Sequence, residues 1–138
     1  MRAPTRGAAR TPYVDIELSF EADHSQVPLV RSVAAEAART EGAESRYVEK
    51  VRMVAGQLTS ALVPLADRQA PAHCLLRVLE SEIRVSVAVR GTRAPSADAK
   101  SEHARLLDQL VVSATTFTLP EDSGGFSVVS DAYIPIDD

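Results

Sequence analysis

The text from Cys74 to Val89 limits the folds open to this chain more than any other stretch. CLLRVLE and IRVSVAV both read as strands, and only the short Glu80-Ser81-Glu82 connection separates them. A connection that short closes an antiparallel hairpin. Ile83, Val85, Val87 and Val89 then share one face, which is the candidate core face. His73 and Cys74, adjacent in the first of these strands, point to opposite sides.

The rest of the chain is organised around this hairpin. YVDIELSF alternates Val14, Ile16, Leu18 and Phe20 against Asp15, Glu17 and Ser19, a half-buried strand of period two. EADHSQ then turns the chain, with Ser25 as the expected N-cap of a helix from Val27 to Thr40 and Pro28 in its first turn. After Gly42, Ser45 is expected to cap a second helix, with Val48, Val51, Val54, Ala55, Leu58, Ala61, Leu62 and Leu65 on one stripe and Pro64 near its end. RGTRAPSADAK, polar and rich in small residues, reads as a loop. Ser101 is expected to cap a third helix facing inward with Leu106, Leu107, Leu110 and Val111. Ala114 to Leu119, the PEDSGG turn and Phe126 to Ile136 read as a last hairpin.

The order strand, helix, helix, strand, strand, helix, strand, strand has too few and too clustered helices for a doubly wound parallel sheet. The expected fold is α+β, a two-layer sandwich of one mixed, mainly antiparallel sheet of about five strands with three helices on one face. A chain of 138 residues is long enough for one core, so residues 13–138 are read as a single domain after a basic, disordered arm at 1–12 that carries Arg2, Arg6 and Arg10. Three arginines beside a chain of net charge −4 make a poor nucleic-acid footprint. No apolar run reaches the length of a membrane span and the N-terminus has no apolar signal core, so the expected location is cytoplasmic. One cysteine and three histidines, His24, His73 and His103, have no zinc-like spacing, and no metal site is expected.

Four local texts, with this element order, resemble the gyrase, chaperone, histidine-kinase and MutL (GHKL) ATPase-like fold. The nearest resemblance is to its small bacterial branch, the anti-sigma-factor serine kinases, over roughly Val14 to Ile136. In that branch an arginine of the first helix helps to bind the sigma factor and its antagonist. In LSFEADHSQVPLVR, Arg31 falls at the matching position, where a planar guanidinium can grip a carboxylate. The alternative for Arg31 is an exposed arginine covering apolar surface with its stem.

The second text is VEKVRMVAGQLTSALVPLA. The resemblance puts Gln57, Ala61 and Leu65 where the family keeps a general-base Glu, an Mg²⁺-holding Asn and often a His, all on one helix edge. A Gln amide has no useful basicity near neutral pH, and Ala61 and Leu65 offer Mg²⁺ no oxygen. The third is VSVAVRGTRAP, where Gly91, Arg93 and Pro95 replace the D-x-G-x-G run that reads adenine. The fourth is SEHARLLDQL, which keeps Leu106 of a G-x-G-L phosphate cradle but has His103 and Arg105 near the glycine places.

All four departures remove the same ligand. The resemblance therefore implies a non-catalytic regulator with a degenerate ATP site and no cofactor. Such a regulator would act as a homodimer and capture a sigma factor or an anti-anti-sigma (STAS-type) protein. One alternative is an active ATP- and Mg²⁺-dependent serine kinase with a rebuilt site, its carboxylate supplied by Glu49 or Asp67. The other is an unrelated small α+β interaction module.

Overall fold

The computed structural model describes residues 14–92, 105, 113–122 and 124–137. In chain order these form β1 (Val14–Glu21), α1 (Val27–Thr40), α2 (Ser45–Leu62), β2 (Pro71–Val78), β3 (Glu82–Gly91), β4 (Ser113–Pro120) and β5 (Phe126–Pro135), with 3₁₀ turns at His24–Gln26 and Val63–Leu65. The strands make one sheet in the order β1-β2-β3-β5-β4.

Every neighbouring pair is antiparallel, a correction to the mixed sheet expected from the sequence. The reason is topological. β1 and β2 are separated by two helices, and an α-hairpin brings the chain back to the end from which it left. One helix would have made the pair parallel. β4 does run parallel to β3, but β5 is inserted between them, so the parallel relation never becomes a ladder.

Among the described residues there are two α-helices rather than three. The helix expected over 101–111 falls outside the described residues apart from Arg105, as do the arm at 1–12 and most of the 90–100 loop. No helix among the described residues is long and apolar enough to cross a membrane.

Both expected helix caps are displaced. Asp23, not Ser25, does the capping, its Oδ1 accepting from the Ser25 N–H at 3.0 Å at the start of the 3₁₀ turn. α1 follows from Gln26 without a side-chain cap, and Pro28 sits in its first turn as expected. Ser45 is the first helical residue of α2, with Glu44 before it and no cap bond. The four residues 41–44 turn the chain between the helices, with Gly42 at φ 92°, where an L side chain would be strained.

The helices lie on one face of the sheet. Val30, Ala34, Ala35 and Ala38 of α1 are buried, as are Val48, Val51, Val54, Ala55, Leu58 and Leu62 of α2. Small residues on α1 let the helices approach closely, so that α2 can reach the central strands with its larger side chains. Beneath them lie Ala72, Cys74 and Leu76 of β2, Ile83, Val85, Val87 and Val89 of β3, and Val128, Ala132 and Ile134 of β5. The face expected of β3 is thus the core face. Burial in this apolar layer pushes the Cys74 thiol up to about 12.

The opposite face has no helix on it among the described residues and combines polar rows with the more apolar row of His73, Ala88, Val129 and Phe117. One row crosses all five strands as Asp15, Arg77, Arg84, Tyr133 and Ser113. Two arginines directly opposite each other repel. Here each leans on its other neighbour: Arg77 donates to both oxygens of Asp15, at 2.6 and 3.1 Å, and Arg84 stacks 4.6 Å from the Tyr133 ring centre while donating to its hydroxyl at 2.7 Å. The hydrogen bond from Arg77 holds the Asp15 carboxyl below the usual carboxylate range.

Candidate functional site

The end of α2 and the end of β3 meet. Past the helix, Val63–Leu65 makes one 3₁₀ turn around Pro64, and two main-chain hydrogen bonds, which together make the antiparallel bridge of Ala66 with Gly91, then tie this turn to β3. The Thr92 N–H donates to the Leu65 carbonyl at 2.8 Å, and the Asp67 N–H donates to the Arg90 carbonyl at 2.7 Å. The Thr92 hydroxyl also donates to the Leu65 carbonyl, at 3.2 Å.

Two positions singled out from separate texts, Leu65 and Gly91, are therefore neighbours. Gln57 and Ala61 lie eight and four residues before Leu65 on the same edge of α2, both half-buried. An amide and two aliphatic side chains at these positions neither take a proton nor ligate Mg²⁺.

Gly91 has a packing reason of its own. A Cβ there would lie 2.5 Å from Cε2 of Phe126 and 2.9 Å from a methyl of Val128. The Phe126 ring thus lies against the end of β3, and any larger residue at 91, an adenine-reading Asp included, would have to displace it. Gly124 and Gly125, at φ 90° and 79°, make the turn that brings Phe126 there. No signal in the sequence named Phe126 as the partner of Gly91, because their contact depends on the pairing of β3 with β5.

The two candidate replacement carboxylates are placed differently. Glu49 is exposed and accepts from its own helix neighbour Arg52 at 2.9 Å, two turns before Gln57 and about 12 Å from it along the axis. Asp67 sits in the junction itself, half-buried, with Oδ1 accepting from the Gln69 N–H at 2.9 Å. Arg93 and His103 fall outside the described residues, and Arg105 is exposed.

Arg31 stands apart from this junction, on α1. Its stem lies across α2: a Cβ on the buried Gly56 would meet its Cδ at 2.7 Å and its Cγ at 2.8 Å. A glycine in a helix interior costs about 1 kcal/mol relative to Ala, and here it opens the groove in which the arginine stem lies. The residue is nonetheless exposed, and its guanidinium has no hydrogen bond or ion pair to a described residue. The stem thus covers apolar surface, as the alternative reading of Arg31 has it, and the fork has no partner among the described residues.

A third cluster is excluded by geometry. The Ser19 hydroxyl lies 3.0 Å from Nδ1 of His73, and Glu17 lies 3.6 Å from the same nitrogen. A relay needs the base to use one ring nitrogen toward the nucleophile and the other toward the acid. Here both partners compete for one nitrogen. Among the described residues no three His, Cys, Asp or Glu side chains converge as a metal site would need. No protein-family model matches the chain, and no curated protein is similar to it in sequence.

Proposed function

We propose that this chain is a non-catalytic regulatory protein that resembles an anti-sigma factor. It captures a sigma factor or an anti-anti-sigma (STAS-type) protein through the α1 surface around Arg31, and it acts in the cytoplasm as a homodimer without nucleotide. The family part of this reading rests on the resemblance of the local texts. The observation that carries the non-catalytic part is the junction between α2 and β3: Gln57, Ala61 and Leu65 line its edge and Phe126 packs on Gly91. The binding part is supported by Arg31, whose stem lies against Gly56 while its fork is unpaired among the described residues, so less rotamer freedom is lost when a carboxylate is gripped.

The test is calorimetric titration of the host's sigma factors and their antagonists into the wild type and Arg31→Glu. Binding by the wild type and its loss in the variant are expected. No binding to any of them by either protein would sink the proposal.

One observation favours a second reading, an ATP-dependent serine kinase with a rebuilt site. Asp67 brings a carboxylate into the junction, although it sits past the helix rather than on the edge of Gln57. ATP and ADP with Mg²⁺ separate the two readings, because a ligand that binds only the native state raises the melting temperature. A flat thermal shift removes the kinase; a shift that Asp67→Asn abolishes places nucleotide binding at the junction and supports it. Restoring Glu at 57 and Asn at 61 is expected not to restore phosphotransfer, since Gly91 and Phe126 still occupy the adenine side.

A further inference from the structure

Among the described residues nothing pairs with the outer edges of the sheet, and the two outer strands differ there. β1 bears Asp15, Glu17 and Glu21 on one side, with Ser19 between the last two, all exposed, so a second strand laid against it meets carboxylates. β4, SATTFTLP, has no charged residue over its eight positions, no proline before its last residue, and no bulge, pairing with β5 one residue to one from Ser113↔Tyr133 to Pro120↔Phe126. Natural proteins blunt free edges with charge, proline or a bulge, because an unpaired row of N–H and C=O groups is a template for another strand. The last position but one carries Leu119, 49% exposed and one of only three large apolar side chains so exposed among the described residues.

We infer that β4 is the surface through which two copies of this chain associate, pairing antiparallel about a two-fold axis into one ten-stranded sheet. Charge selects this occupant. An uncharged strand meets its own copy without repulsion, whereas β1 against β1 would set carboxylates across the axis. Closure selects it too: β4 on β4 is isologous and stops at two copies, while β4 on β1 leaves further edges open and grows into fibres. Thr115 and Leu119 project on the open face, beside Phe117, so the pairing also covers apolar surface there. A strand of this length spans about 27 Å, a small interface, and the dimer is weak and concentration-dependent. This assignment rests on the homodimer of the proposed function and gives it a surface; its test involves neither a sigma factor nor a nucleotide, so it can fail while partner capture by the α1 surface holds.

Sedimentation equilibrium of the full chain should show the average mass rising with concentration from 14.8 kDa toward twice that value. Thr115→Lys with Thr118→Lys should weaken the dimer at least roughly tenfold at unchanged melting temperature, and Glu21→Lys on β1 should leave it unaltered. If the lysine variant does not fold, single substitutions Thr115→Cys, Phe117→Cys and Leu119→Cys replace it. Under mild oxidation the one nearest the axis should link two copies, with the buried Cys74 staying out of the exchange. A monomer at every concentration overturns the inference, as does a dimer indifferent to the β4 lysines or one that crosslinks at no β4 position. A monomer whose β4 amides become protected only by another protein also overturns it, in favour of a foreign strand.

Discussion

The two faces of the sheet are made by the same strands and held by different forces. On the covered face Leu76, Val85 and Ala132 lie in one row beneath α2, all buried. On the open face the neighbouring row is Leu75, Ser86 and Asp131, with the Ser86 hydroxyl donating to the Asp131 carboxylate and every residue half-exposed. One residue of register separates the two rows. The covered face is stabilised by area removed from water, at about 25 cal/mol per Å². The open face draws on hydrogen bonds and ion pairs still in contact with solvent, whose individual worth is small. The fold should therefore depend on the first face, while the second tolerates change and remains available for contact.

Leu58→Ala is the strongest way to break that comparison. This side chain is wholly buried between α2 and the sheet, and its truncation should cost about 2–5 kcal/mol in urea unfolding. A smaller loss than that of an open-face variant would invert the comparison.

Next in size is Gly91→Val, at the end of the covered face, which forces the Phe126 ring aside and should cost about 1–3 kcal/mol. Phe126→Ala in the same chain should recover part of that loss, since the two sites share one space. Additive losses would show that Phe126 does not set the identity of residue 91.

On the open face, Arg84→Ala removes a stacked and hydrogen-bonded guanidinium from Tyr133, and the expected loss is below about 1 kcal/mol. A loss as large as that of Leu58→Ala would make the polar rows part of the core.

The smallest effect concerns pH. The Asp15 carboxyl is lowered by its hydrogen bond from Arg77, and that of Asp23 by the Ser25 N–H and by Arg68. Between the depressed and the ordinary carboxylate values the unfolded chain binds more protons than the folded one, so stability rises with pH there. These contributions are complete above the ordinary carboxylate range and are lost as pH falls through the depressed values. Asp15→Asn should make the acid limb of urea midpoint against pH shallower, by less than the effect of any core substitution.

Much of the covered face was legible before the structure. Period-two text at Ile83 to Val89 names residues that prove buried, and so does the stripe from Val48 to Leu65 except at the half-buried Ala61 and Leu65, because burial of a face imposes its period on the chain. Capping was not legible, since Ser25, Asp23 and Ser45 are all chemically fit for the task and only backbone geometry chooses among them. The edge of Gln57, Ala61 and Leu65 followed from helical spacing. That Leu65 meets Gly91, or that Gly56 makes room for Arg31, could not follow, because each contact joins residues far apart in the chain.

Over the described residues the sequence by itself determined which segments are strands and helices, which face of most of them is apolar, and that Gln57, Ala61 and Leu65 supply neither a base nor a metal ligand. Those are properties of local spacing and of side-chain chemistry. Only the tertiary structure decided that every ladder is antiparallel, that β5 enters between β3 and β4, and that β4 is left as an uncharged edge. Strand order depends on which faces and edges meet across long chain separations, where the free energy of packing outweighs any local preference.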